Sequence, residues 1–464
     1  MIYPLLVLLS SLLFSTGFII CRTSFFRLAL HTTAMLDIIL DTEADDHTKQ
    51  KKLIHYLSRL LLSLLLFFLV ILGIIAVTIL PFSIYSNFDF ATIDQEQLSS
   101  YASYAAMILG SVVPFVIFSL KKPTSDYSEW SMLLHRMILN NYNISRQLHR
   151  LEKSFFPSKT RTTPSHYVVI SGLARSGTSA LTTLLHSSGT FHSLNYSNMP
   201  FLLSPNSWKK FYHPTIQTLR ERSHGDKVLF GYNTIEALEE YFFKVSLHDR
   251  YIHAHTLSEH EVDVRTYQNY LVYQQLFQEK PHTTYLAKNN NFILRYRSLR
   301  KLNPDFKVVF IFRHPVEHAY SLFKQHQRFS TLQQKDPFAL EYMNWLGHHE
   351  FGLNLKHFEF SHTRIPHTES PETMEYWLHT WINYYTMILN LEDDPNKILI
   401  QYEDFLHEPR KTIQVLSDFI QLPITIDQLE HFKNDNSYTG KLNPELQKQS
   451  IDLYMKLIAR KRSV

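Results

Sequence analysis

The sequence predicts an α/β fold, a parallel sheet flanked by helices, preceded by N-terminal transmembrane helices. Three observations carry this reading. Short β-branched runs alternate with longer helical patterns after residue 165. A glycine-bearing turn joins the first of those runs to a helix. Three long apolar runs precede both.

The apolar runs lie at about 2–21, 60–82 and 103–120, within an anchor of residues 1–122 that holds two to three spans. The second, LLLSLLLFFLVILGIIAVTILPF, carries no charge and is long enough to cross a bilayer core of about 30 Å. The first lacks the basic leader and small-residue cleavage site of a signal peptide, which favours a span. The third is shorter and contains Pro114. Arg22, Arg27, Lys49, Lys51, Lys52 and Arg59 lie between the first two runs, and Lys121 and Lys122 follow the third. Between the second and third runs there are only Asp89, Asp94 and Glu96. The excess of cations on one side predicts that everything after Leu120 is cytoplasmic, as in a bacterial inner membrane. The only cysteine, Cys21, rules out an intrachain disulfide and agrees with a reducing compartment. A net charge of +4 gives no argument for nucleic acid.

Residues 123–164 read as a helical linker, with Trp130, Leu133, Leu134, Met137 and Ile138 at helical spacing and Pro157 and Pro164 ending it. The globular domain then covers 165–464. Its expected strands are Tyr167–Ile170, Thr284–Ala287, Lys307–Phe312 and Lys397–Gln401, with helices such as 317–327 and 411–420 between them. In a parallel sheet, ligands bind at the carboxyl ends of strands. Here each strand runs into a polar motif: the glycine loop, Lys288-Asn289-Asn290-Asn291, Arg313-His314-Pro315, and Tyr402-Glu403-Asp404.

The loop itself is P-loop-like. Gly172 and Gly177 have the spacing of a nucleotide triphosphatase loop, but Thr178 stands at the lysine position and the cation sits inside the loop as Arg175. After KVVFIF comes Arg313, where such an enzyme would usually place a magnesium-binding acid. The pattern points to an anion held directly by protein cations, with no metal required. No Cys/His zinc spacing exists, and adjacent histidines in Gly347-His348-His349-Glu350 would diverge on a helix rather than share an ion.

The segment GLARSGTSALTTLL resembles the 5′-phosphosulfate loop of sulfotransferases that use 3′-phosphoadenosine 5′-phosphosulfate (PAPS). VVFIFRHPVEHAYSLFKQH resembles their 3′-phosphate motif. ILIQYEDFLHEPRKTIQVLSDFIQL is similar to a late strand-turn-helix element, and YLAKNNN to a lysine-bearing segment of Golgi-type and bacterial members. The resemblance covers roughly 165–445. It implies a PAPS-dependent enzyme that transfers a sulfuryl group to a hydroxyl or amine acceptor; with the apolar runs as a membrane anchor, the acceptor is expected to be a lipid or carbohydrate. It also implies that Arg313 and Ser321 grip the 3′-phosphate. Arg175, Ser176, Gly177, Thr178 and Ser179 would hold the phosphosulfate, with backbone N–H groups at a helix N-terminus. Lys288 would stabilise the bridging oxygen. Partners are then PAPS, an acceptor and the lipid bilayer, with no nucleic acid.

The general base is harder to place. The stretch where several family members carry it, FHSLNYSNMPFLLSPNSW, holds His192 but no acid. The candidates are His224, oriented by Asp226, and Glu236, while Glu239 and Glu240 read either as acceptor-facing or as a solvated face. Trp345, Phe351, Phe358 and Phe360 are expected to wall an acceptor pocket or lie against lipid, and Trp377 and Trp381 to pack in the core. Two other classes fit less of the pattern: a membrane-bound P-loop-type kinase or NTPase, and a non-catalytic scaffold of the same fold.

Overall fold

The computed structural model describes residues 2–120, 128–156, 166–212, 220–221, 229–230, 235, 237–361, 369–426 and 438–461. The chain forms two compact units, 1–144 and 145–464.

The first unit is built on helices Ile2–Leu40, Asp46–Tyr85 and Tyr101–Leu120. All three are long and apolar enough to cross a membrane, with mean hydropathies of 2.2, 3.2 and 1.8 in their most apolar windows. Large apolar side chains such as Leu62, Phe68 and Ile75 point outward, as a hydrocarbon surrounding requires. The first two helices extend well past the apolar runs. No proline or glycine interrupts the chain between Gly17 and Leu40, so the helix continues through Arg22 and Arg27. The cations that the sequence places in a connecting loop therefore lie on helical extensions. The connector shrinks to residues 41–45, and Asp45 caps the second helix by accepting from the Thr48 N–H at 2.9 Å. The helical segment that follows is two helices, Glu129–Leu139 and Tyr142–Phe155, parted at Asn140-Asn141.

The second unit holds a five-stranded sheet: β1 Tyr167–Ser171, β2 Phe191–His192, β3 Thr284–Lys288, β4 Lys307–Phe312 and β5 Lys397–Gln401. Their order is β2-β3-β1-β4-β5, all parallel. The strands are near-continuous apolar runs because both faces are covered. On one face Val168, Ile170, Val309, Ile311 and Ile400 pack on Leu181 and Leu185 of the helix Thr178–Ser187 and on Leu416 of the helix Pro409–Ile420. On the other, Tyr167 stacks on Phe306 at 5.0 Å and meets Tyr270 edge-on at 5.7 Å. The two-residue strand β2 is too short to leave a periodic signal in the sequence.

Helices Pro315–Lys335 and Pro409–Ile420 each begin with proline at the first helical position, which lengthens both beyond the expected ranges. Trp377 and Trp381 are fully buried. So are Trp345, Phe351, Phe358 and Phe360, to within 8%. That corrects the expectation that they lie against lipid. The strand His357–Glu359 pairs with Thr256–Ser258 and folds this segment back into the core, where the Phe358 ring meets Tyr384 at 5.1 Å.

Candidate active site

Parallel strands bring the four polar motifs to one edge of the sheet. After β1 the chain turns sharply, and the Ser176 N–H donates to the Leu173 carbonyl at 3.1 Å. Ser176 N–H is thus part of the turn, and the donors for an anion are those at the start of the helix Thr178–Ser187. Gly177 caps that helix at φ 103° and supplies no side-chain cap. A Cβ there would sit 2.5 Å from the Tyr402 ring, so only glycine lets the helix start press against this aromatic face. Arg175 adopts φ 70°, a left-handed conformation that costs a non-glycine residue about 1 kcal/mol and is found where function fixes a side chain.

The turn aims Arg175 across the sheet edge, where its Nε donates to the Ser321 hydroxyl at 3.3 Å. Ser321 lies on the helix that follows β4. Arg313, at the end of β4, is buried, and its guanidinium carbon lies 5.0 Å from the centre of the Tyr402 ring. Its carbonyl accepts from Trp381 Nε1 at 3.2 Å, and Glu317 is 3.9 Å from Nη2. His318, fully buried one turn before Ser321, contacts the Ala174 carbonyl through Nε2 at 2.7 Å and pins the loop to this helix. Burial, and then the charges of Arg313 and Arg175, push the His318 imidazole down to about 3, so it is neutral and Nε2 is the donor. Burial, reinforced by Arg175, lowers Arg313 as well. Lys324 is lowered by partial burial and then by both arginines. Arg175, Arg313 and Lys324 thus lie near enough to oppose one another's charge, with Glu317 and Glu403 beside Arg313.

Lys288 is buried at the end of β3, in register with Ile170 of β1. The next residues are fixed from two sides: the Asn289 N–H donates to the Ile170 carbonyl at 3.0 Å, and Tyr384 donates to the Asn290 carbonyl at 3.2 Å. The Tyr384 hydroxyl also lies 3.5 Å from Ser171 Oγ. The fold thus brings Arg175, Ser176, Gly177, Thr178 and Ser179 together with Arg313 and Ser321, and sets Lys288 at the adjoining strand end. Thr178 is buried beneath the loop and Ser179 is half-buried.

His224, Asp226 and Glu236 lie outside the described residues. His192 is held by Thr283 Oγ1 at 3.0 Å and the Gln274 carbonyl at 3.3 Å, and burial lowers it to about 4, which makes it a packing residue. Glu239 and Glu240 are neither solvated nor acceptor-facing. Glu239 accepts from Tyr270 at 2.6 Å, Tyr285 at 2.8 Å and Asn289 at 3.1 Å. Glu240 pairs with both terminal nitrogens of Arg295, at 2.7 and 2.6 Å, and also accepts from Tyr251 and Asn289. Residues to which the sequence reading gave no role in the site are His318, Lys324 and Tyr384, and Tyr402 was noted there only as part of a strand-end motif. His318 had a signal: it precedes Ser321 by three positions and so shares its helix face. Tyr402 had one too, as the first residue of the motif after β5.

Residues 168–354 match the model of a family described as the sulfotransferase family. Similar solved structures include a sulfotransferase of Mycobacterium tuberculosis H37Rv (14% identity over 70% of this chain and 81% of that one, TM-score 0.38). A sulfotransferase of Mycobacterium avium follows (12%, 75% and 81%, TM-score 0.38), and one of Alicyclobacillus acidocaldarius (14%, 63% and 92%, TM-score 0.31). No curated protein matches the sequence.

Proposed function

We propose that this chain, whose residues 168–354 match the sulfotransferase family model, is a member of that family and transfers a sulfuryl group from PAPS to a hydroxyl acceptor at a membrane surface. The observation that carries the reading is the contact of Arg175 with Ser321, which joins the loop after β1 to the helix after β4 beside buried Arg313. That junction offers two arginines to two separate anionic groups of one ligand, as a nucleotide with 3′- and 5′-phosphates presents. A magnesium nucleotide arrives with its charge partly neutralised and matches these cations less well.

In this reading PAPS supplies an activated sulfuryl group on a phosphate leaving group. The residues of the chain bind and polarise. The helix N–H groups from Gly177 onward, with Thr178 and Ser179, hold the 5′-phosphate end. Arg175 and Lys288 oppose the charge that builds on the departing oxygen, in a site whose side chains are mostly buried and already oriented. Arg313 and Ser321 select the 3′-phosphate. The three apolar helices favour an acceptor that is itself membrane-associated, a lipid or glycolipid. Lys121 and Lys122 favour the cytoplasmic face for the catalytic unit.

The test is calorimetric titration of 3′-phosphoadenosine 5′-phosphate (PAP) into the full chain in detergent, without magnesium. Binding should weaken by about 100-fold in Arg313→Ala and in Arg175→Ala, since loss of an arginine–phosphate contact costs about 2–4 kcal/mol. Absence of PAP binding, or binding of ATP only with magnesium, would sink the reading.

A further inference from the structure

The geometry points to His348 as the general base of the transfer, with Glu350 as its positioning residue; this rests on the donor reading above. The turn that carries His348 begins at Gly347, which ends the helix Pro337–Leu346 at φ 72°. A Cβ on Gly347 would lie 2.6 Å from Glu240 Cγ, so the turn is seated tightly against the buried carboxylate network. Because the helix has stopped, His348 and His349 take separate paths. His349 is buried and contacts the Asn354 carbonyl through Nδ1 at 3.0 Å. His348 keeps 21% of its side chain exposed, with Nδ1 3.7 Å from Glu350 Oε2.

Two side chains of the motif after β3 clamp this turn to the strand end. Asn291 donates to the Gly347 carbonyl at 3.0 Å, and Asn290 donates to Glu350 Oε1 at 2.9 Å. Asn290 follows Lys288 by two residues and shares Tyr384 with Ser171, the last residue of β1. Burial and then Glu350 are among the causes that raise the Tyr384 phenol, which places the carboxylate close to the same point. Glu350 itself is a committed anion. Burial opposes its charge, yet the His348 and Asn290 interactions outweigh it and bring the carboxyl down to about 2. A histidine whose Nδ1 faces a fixed carboxylate presents Nε2 as the acceptor. That Nε2 takes no hydrogen bond among the described residues. The pair is therefore tied, through Asn290 and Asn291, to the motif that follows β3 and carries Lys288, with one ring nitrogen available.

The step balances as follows. His348 Nε2 removes the proton of the acceptor O–H as the acceptor oxygen bonds to sulfur. The bond from sulfur to the 5′-phosphate oxygen breaks, and its electron pair leaves on PAP. The imidazolium is stabilised by Glu350 until its proton passes to solvent.

The experiment follows conversion of PAPS to PAP by the full chain, with water and then a series of phenols as acceptors, beside calorimetric PAP binding. In His348→Ala, turnover should fall by about 100- to 1,000-fold, the usual worth of a general base, while PAP affinity stays within twofold. Added imidazole should restore part of the rate in His348→Ala but none in Arg313→Ala. Glu350→Gln should lower turnover with an unchanged KM for PAPS. Wild-type turnover in His348→Ala would overturn the assignment, as would loss in Glu350→Gln with His348→Gln still active. A chain that binds PAP but converts no PAPS with any acceptor would also overturn it. A chain that does not bind PAP at all fails at the donor reading instead, so the two failures are distinct.

Discussion

Two buried arginines of the globular unit show opposite arrangements. Arg295 is fully buried, meets both oxygens of Glu240, and lies 4.0 Å from the centre of the Phe243 ring. Its guanidinium is raised above the ordinary arginine value, because Glu240 outweighs the effect of burial. Arg313 is almost as buried, but its close carboxylate neighbour Glu317 is partly exposed and 3.9 Å away, and its charge is opposed by Arg175. Each arginine has a neutral histidine beside it: His260 accepts from Arg295 Nε at 3.0 Å, and His318 stands beside Arg313. Arg295 is an ion pair completed within the chain, so it serves the fold. Arg313 stands among groups of both signs: Tyr402, Glu317 and Glu403 support its charge and Arg175 opposes it. Burial alone does not separate the two; the closeness and burial of the carboxylate do.

The largest expected effect tests the completed pair. Glu240→Ala leaves Arg295 buried without its carboxylate and should destabilise the unit by about 3–5 kcal/mol, measured by thermal unfolding of the full chain. Arg313→Ala should lower the melting temperature far less, because its carboxylate neighbour Glu317 is partly exposed and 3.9 Å away. If the two variants unfold alike, the distinction between the sites is broken.

The histidines give the next effect. Burial, then the adjacent arginine, lowers both His260 and His318 to about 3 from the ordinary 6.5. The unfolded chain therefore takes up these protons first as pH falls. Their contribution to stability is present above about pH 6.5 and is lost on the way down towards pH 3, amounting to about 2 kcal/mol per histidine at pH 5. Saturating PAP should shrink the loss at His318 by offsetting Arg313 and Arg175, and leave the loss at His260 as it was. A melting temperature flat between pH 7 and pH 5 would contradict both placements. The smallest effect belongs to Glu317. Its replacement by Gln removes a partly exposed negative charge near Arg313 and should tighten PAP binding two- to threefold by calorimetry, about 0.5 kcal/mol.

The sheet was legible because its strands are short β-branched runs bounded by polar motifs, and the gathering of those motifs at one end of the sheet was legible because each follows a parallel strand. Helix ends in the first unit were not, since apolar composition marks the stretch suited to a bilayer while the helices run on through charged residues such as Arg22 and Arg27 and through Pro81. Glu239 and Glu240 misled because two adjacent acids look solvated; their partners, Tyr270, Tyr285, Asn289 and Arg295, are distant in sequence and no local pattern announces them. The Gly347–Glu350 turn was set aside on helix geometry. Gly347 ends that helix, so His348 and His349 part after it, and the useful neighbour of His348 is the carboxylate two positions on.

The strand order has a further consequence during synthesis. β1 ends at Ser171, but its partners begin only at Thr284 and Lys307, and β5 only at Lys397. At translation rates of about 5–20 residues per second, the central strand waits roughly ten seconds for a neighbour. During that interval an apolar ribbon has left the ribosome with both edges open, next to helices already made and suited to a bilayer. Its hazard is then pairing with the same strand of another nascent chain. A holding chaperone that acts before residue 284 emerges is where the yield of this protein should be decided.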